Sequence, residues 1–211
     1  MKRLGLVSVA ALAIGVASPA VAQAPQVTLT IGKPGSGPQG TTTTVLYGEL
    51  VRVSGNISSG QPNQPVELTV SPYRGTSRTV SLRTDADGDF RYTHRPTIKT
   101  GYTARVGSAA SNEEPFAFVR PKAGLRVISA RQGRFRVTLS AQPGHVSRVV
   151  WFQRRVTRTR WANVRRVRLR ARNLSAVFTA RLPRGSQRVR MFIPQTPGYL
   201  RTTSRFVLVN R

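Results

Sequence analysis

Apolar residues in this chain recur at every second position, in runs of four to eight residues bounded by Gly, Pro, Asn and Asp. No long window carries them at helical spacing. Side chains alternate sides along a strand, so period two buries one face and wets the other. The runs Val27–Ile31, Leu50–Val53, Val66–Val70, Thr79–Leu82, Phe90–Tyr92, Tyr102–Val106 and Phe116–Val119 are therefore expected strands of the first half. Gly-Pro-rich loops at 32–40 and 59–65 separate some of them.

The second half repeats the scheme. Val51 and Val53 match Phe135 and Val137, and Val66 and Leu68 match Val150 and Phe152, all at an offset of 84. Phe90 matches Phe178 at 88, and Phe116 and Phe118 match Phe206 and Leu208 at 90. A growing offset is what small loop insertions between two copies produce, and it is too long for a solenoid repeat. About seven short strands per 90 residues predict an all-β chain of two tandem immunoglobulin-like antiparallel β-sandwiches behind an N-terminal signal peptide. The expected divisions are 1–22 (signal peptide), 23–120 (near-neutral sandwich) and 121–211 (strongly basic sandwich), with Pro121-Lys122-Ala123-Gly124 at the join.

The signal reading rests on Lys2 and Arg3, the apolar run Leu4–Val16 and the small–x–small pattern Ala20-Val21-Ala22. Cleavage after Ala24 is the less favourable alternative, because Pro25 follows it. An uncleaved anchor is the other reading, since Leu4–Ala22 has 19 residues, about the minimum span, but it is rich in Ala and Gly. The chain has no cysteine, which excludes a lipoprotein anchor, a thiol nucleophile, a redox dithiol and a Cys-ligated zinc. Export without disulfides leaves burial and backbone hydrogen bonds to hold each unit, which domains of about 90 residues can manage.

The segment Arg95–Val106, with proline, then threonine, then Tyr102 opening a strand, resembles the fibronectin type III pattern. That resemblance implies that the Tyr102 hydroxyl bonds to backbone and locks the loop. In the second half Gln187 or Arg188 stands where the tyrosine is expected. Tyr47-Gly48 before Val51–Gly55, Gln64–Leu68 and Thr84–Phe90 are similar to the tandem immunoglobulin-like repeats of exported bacterial proteins. Val150–Arg155, Trp161–Val164 and Pro197–Leu200 carry the same likeness in the second half. What this implies is an envelope or extracellular module without catalysis.

Charge divides sharply. Residues 23–120 hold 10 Lys plus Arg and all 7 acids, whereas residues 121–211 hold 22 Lys plus Arg, 21 of them Arg, and no acid. In the densest run, Arg165–Arg172, a strand would turn Val167, Leu169 and Ala171 inward. Arg166, Arg168, Arg170 and Arg172 would then share the outer face, about 6.6 Å apart. Guanidinium forks match phosphate and carboxylate. Arg188 and Arg190 repeat the alternation, as do Arg134 and Arg136, and Arg154, Arg155, Arg158 and Arg160 load the neighbouring hairpin. The two readings are a polyanion-binding face and inert arginine, written wherever a solvated cation suffices; the lack of acids in one half beside seven in the other speaks against the second.

Catalytic and metal constellations are not legible. Asp85, Asp87 and Asp89 open like a calcium loop, but Phe90 and Pro96 stand where an EF-hand needs Gly and Glu. An Asp-Gly turn is the expected structure, with a weak cation loop as its alternative. His94 and His145 have no ligand or carboxylate partner in sequence and read as solvated, and Glu113 and Glu114 point apart. Trp151 lies in an apolar strand and reads as core, leaving Trp161 free to stack on a base. The expectation is a non-catalytic exported structural or binding module with no cofactor. Its candidate partner is an anionic envelope polymer, lipid surface or acidic glycan. The alternatives are an extracellular nucleic-acid binder and an accessory pair serving a separate envelope enzyme.

Overall fold

The computed structural model describes residues 25–36 and 40–211; the signal-peptide reading falls outside them. The first half forms β1 (Val27–Gly32), β2 (Thr42–Leu46), β3 (Val51–Ile57), β4 (Pro65–Pro72), β5 (Arg78–Arg83) and β6 (Asp89–His94). Then come β7 (Thr100–Val106), β8 (Ala109–Ala110) and β9 (Phe116–Arg120). One sheet runs β1-β3-β6 and the facing sheet β2-β9-β7-β4-β5, with β8 on β7. Every pair is antiparallel except β2 with β9, which run parallel from Thr42↔Phe116 to Leu46↔Arg120. The strand β2 has no clean alternation to betray it: only Val45 is buried, on a stretch of threonines.

The second half forms β10 (Lys122–Ser129), β11 (Arg134–Ser140), β12 (Val149–Arg155), β13 (Trp161–Arg168) and β14 (Ser175–Thr179). It ends with β15 (Ser186–Ile193), β16 (Thr202–Thr203) and β17 (Val207–Asn210). Its sheets are β10-β11-β14 and β13-β12-β15, with β16 and β17 both on β15. The strand plan of the first half recurs, and the chain is a tandem pair of immunoglobulin-like sandwiches. Among the described residues no helix is long and apolar enough to cross a membrane.

Burial follows the alternation. Val51, Val53 and Ile57 of β3 face Leu68 and Val70 of β4, and all are fully buried. In the second unit Phe135 and Phe178 pair across one sheet, and Phe152 of the other sheet meets them at centroid separations of 4.7 and 5.2 Å. Each such ring contributes several kcal/mol, about 3–5 by large-to-small substitution.

Pairing corrects the finer matches. Val51 pairs with His94 and Gly55 with Phe90, whereas Phe135 pairs with Phe178. The offset of 84 on β3 therefore aligns His94, not Phe90, with Phe178. Likewise Leu68 pairs with Ala104 and Val70 with Tyr102, while Phe152 pairs with Met191 and Arg154 with Val189. The counterpart of Tyr102 is thus Val189, not Gln187 or Arg188. Tyr102 is buried, but its hydroxyl bonds to His94 Nδ1 at 2.8 Å instead of to backbone. His94 is accordingly not a solvated residue. It is half-buried and stacked on Tyr92, whose hydroxyl accepts from Arg78 at 2.8 Å.

The two units are clasped. Lys99 N–H donates to Gly198 C=O and Leu200 N–H to Val119 C=O, each at 3.0 Å. The Tyr199 hydroxyl donates to Thr97 C=O and accepts from Gln142 N–H at 2.8 Å. Tyr199 and Ile98 are buried at this seam, and a Cβ on Gly198 would lie 2.8 Å from Ile98 Cδ1. A side chain at 198 would therefore have to displace the Ile98 side chain.

Candidate functional site

The outer face of the sheet β13-β12-β15 is built by parity. Val150, Phe152, Val189, Met191 and Val167 turn inward. Their neighbours therefore turn out, and cross-strand pairing aligns them in rows. One row reads Arg166–Trp151–Phe192–Thr203, the next Asn163–Gln153–Arg190. Arg168 flanks the first row opposite Val149, and Arg188 stands opposite Leu208.

Trp151 is therefore not core. It lies half-exposed on this face, because strand parity fixed by Val150 and Phe152 leaves it no other side.

The expected single strand through Arg172 is also corrected. The strand β13 ends at Arg168; Leu169 is still buried, but Ala171 is exposed and a turn follows. Leu174 adopts φ 46°, and its N–H donates to Arg170 C=O at 3.0 Å, which closes that turn. Only Arg166 and Arg168 of the run stay on the sheet face, while Arg170 and Arg172 sit on the loop at the strand's end. A bulge between Phe152 and Gln153 takes up one residue of β13 opposite β12. Arg165, with inward parity at an open edge, reaches across the sandwich to the Thr179 carbonyl.

The remaining candidate arginines divide. Arg155 shares the outer face, but its Nε donates to Thr157 C=O at 3.0 Å and its fork also bonds the Arg158 carbonyl, so it closes its own hairpin. Arg158 and Arg160 are exposed on that hairpin. Arg154 points to the other side, toward Gln187. Arg134 and Arg136 lie on the outside of the opposite sheet, where Arg136 pairs directly with Arg126. Like charges directly opposite are destabilising, and no acid of this unit offsets them.

Arg190 is the most ordered of these cations. Its Nε donates to Gln153 Oε1 at 2.9 Å, and Gln153 Nε2 donates to Asn163 Oδ1 at 2.9 Å. Its guanidinium lies 4.1 Å from the Trp161 ring centroid, a cation–π stack. Partial burial lowers its pKa from the usual arginine value, and it remains protonated. Arg188 lies over Phe206 in the same manner, at 5.1 Å.

A groove of about 590 Å³ continues from this face to the seam between the units, lined by Leu46, Arg120, Arg190, Phe192, Arg201, Thr202 and Thr203. Arg120 comes from the first unit and Arg201 from the second. No sequence signal marked either, because they stand 81 residues apart and meet only through the clasp.

The acidic loop is a turn. Asp85 Oδ1 accepts from the backbone N–H of Asp87 and Asp89 at 3.1 and 2.9 Å, and Asp89 Oδ1 accepts from Asn56 at 2.7 Å. Gly88 takes the φ of 78° the turn requires. Among the described residues no three His, Asp or Glu gather as a metal site. His145 contributes its carbonyl, which accepts from Thr196 at 2.8 Å.

No family model matches the chain, and no curated protein does. Solved structures do. A tetra-tandem repeat from the extending region of a large adhesion protein is 13% identical, with 88% of this chain and 49% of that one covered and a TM-score of 0.40. The chain thus spans about half the length of that repeat array. The D0-D1 domain of intimin is 13% identical, with coverage of 89% and 100% and a TM-score of 0.34. The FN1-FN3 domains of chicken CNTN1 are 12% identical over 82% of this chain and 70% of theirs, with a TM-score of 0.29. Likeness of this degree carries no argument about function, which rests on the chain's own chemistry.

Proposed function

We propose that the chain is a non-catalytic exported module of the cell envelope or extracellular space whose second unit docks on anionic polymers or surfaces. One observation carries the reading: residues 121–211 hold 22 cations and no acid, and Arg166, Arg168, Arg188 and Arg190 stand among aromatic rings on one sheet face. The only ion pair among the described residues, Lys33–Glu49 at 3.7 Å, belongs to the first unit. No carboxylate side chain within the second unit offsets its self-repulsion, and a bound polyanion relieves it. A planar guanidinium fork makes two hydrogen bonds at once, so less freedom is lost per bond formed.

Hydrogen bonds of Lys99, Leu200 and Tyr199 across the seam hold the two sandwiches together beside the basic face. A nucleic-acid ligand is the second reading, favoured by Trp151 on the outward face, where its ring can stack on a base.

The test is chromatography of the full chain on heparin and teichoic-acid resins. Elution at markedly higher salt than a neutral two-sandwich protein supports docking; co-elution with that control overturns it. Competition by a single-stranded oligonucleotide at lower concentration than by heparin, abolished in Trp151→Ala, would select the nucleic-acid reading.

A further inference from the structure

We infer that the groove at the seam is a defined subsite for one acidic sugar unit of a polysaccharide. This deepens the polyanion reading and rests on it. The general charge of the second unit explains attraction to any polyanion, but the groove has a different construction. Three guanidinium groups line it, from Arg120 on β9, Arg190 on β15 and Arg201 on the loop before β16. The nearby carboxylate of Glu49 is already taken by Leu46 N–H at 2.8 Å and by Lys33 at 3.7 Å.

The remaining lining fits a sugar ring. Thr202 and Thr203 offer hydroxyls that both donate and accept, as a polyol requires. Phe192 and Leu46 offer apolar surface to the C–H face of a pyranose. The Arg fork then takes the carboxylate or sulfate in bidentate fashion. A volume of about 590 Å³ lies within the range of small-ligand sites. Arg190 is already held by Gln153 and Trp161, so it is ordered before the ligand arrives. Because Arg120 belongs to the first unit, a ligand here bridges the two sandwiches and tightens the seam.

The chemistry favours a sugar over a nucleotide. Thr202 and Thr203 beside the lone ring of Phe192 match a sugar, which carries hydroxyls around an apolar face, better than a flat base.

The test is calorimetric titration of the full chain with trigalacturonate, maltotriose, inorganic phosphate and a hexathymidylate oligonucleotide. Saturable trigalacturonate binding that depends on Arg120 and Arg201 is expected, whereas any oligonucleotide binding should depend on the outer sheet face instead. Arg120→Gln and Arg201→Gln should each weaken it about tenfold, the loss of one charge-assisted contact. Arg120→Lys, which keeps the charge and loses the fork, should fall in between. All three replace exposed side chains, and unchanged thermal unfolding confirms an intact fold. Heparin retention should hardly change in these variants, whereas Arg166→Gln/Arg168→Gln should reduce retention and spare trigalacturonate binding. Phosphate or oligonucleotide binding that weakens with Arg120→Gln and Arg201→Gln as much as trigalacturonate binding does, or trigalacturonate binding indifferent to both, overturns the subsite while leaving the docking face standing. Loss of heparin retention in the wild type would instead overturn the reading beneath it.

Discussion

Tyr199→Phe removes one oxygen from the seam, and its effect can be worked from the geometry. The hydroxyl serves Thr97 C=O and Gln142 N–H, one on each unit, and burial raises its pKa to about 12, so it is a neutral donor at any working pH. Thr97 and Gln142 are exposed, so water can replace the lost partner, and each hydrogen bond contributes about 1 kcal/mol. Only the Thr97 bond crosses the seam, the Gln142 bond lying within the second unit, so opening should become easier by about 1 kcal/mol, roughly 5-fold in its equilibrium constant. Amide hydrogen exchange reads this directly. Lys99 and Leu200 N–H donate across the seam without touching the altered atom, and should exchange roughly 5-fold faster. The amides of Val53 and Phe152, deep in their own sheets, should not change. Unaltered protection at Lys99 and Leu200 would refute the view that Tyr199 joins the units.

Three further outcomes follow. Gly55→Ala places a Cβ 2.3 Å from Phe90 Cζ and 2.6 Å from the Thr28 carbonyl oxygen, so the first unit should lose about 1–3 kcal/mol in thermal unfolding; an unchanged melt would contradict the packing of Phe90 over that glycine. Burial, then the positive charge of Arg78, lowers the His94 pKa from 6.5 to about 4. The neutral imidazole is the folded form, so stability is full above pH 6.5, falls as the pH drops toward 4 and levels below it. Discounted for half-exposure, wild type should lose about 1–2 kcal/mol more than His94→Gln between pH 7 and 4, measured by urea unfolding; parallel losses would contradict it. A double-mutant cycle of Trp161→Ala with Arg190→Gln should show coupling of about 0.5–1 kcal/mol, and zero coupling would deny the stack.

Strand periodicity carried most of the fold, and its failures have physical causes. Alternation in Val51–Val53, Val66–Val70 and Phe135–Val137 marks strands because both parities are strongly unlike. Along Arg165–Arg172 the alternation continues past the strand's end, since a small residue such as Ala171 can be wetted at little cost. Trp151 was legible from its neighbours: with Val150 and Phe152 inward, parity alone places it outside, and an aromatic's usual preference for burial was the wrong guide. The Tyr102–His94 bond, the Tyr199 clasp and the Arg120–Arg201 groove were not legible. Each joins side chains from different strands, or from both sandwiches, and no periodicity within a segment reports on such meetings.

The salt dependence of heparin affinity tests the docking face most directly. Each arginine that meets an anionic group releases about one counter-ion, so log affinity falls with log salt in proportion to the contacts made. Replacing Arg166, Arg168 and Arg188 together by Gln should reduce that slope by about 2–3. A slope and affinity equal to those of the wild type would contradict the assignment of this face.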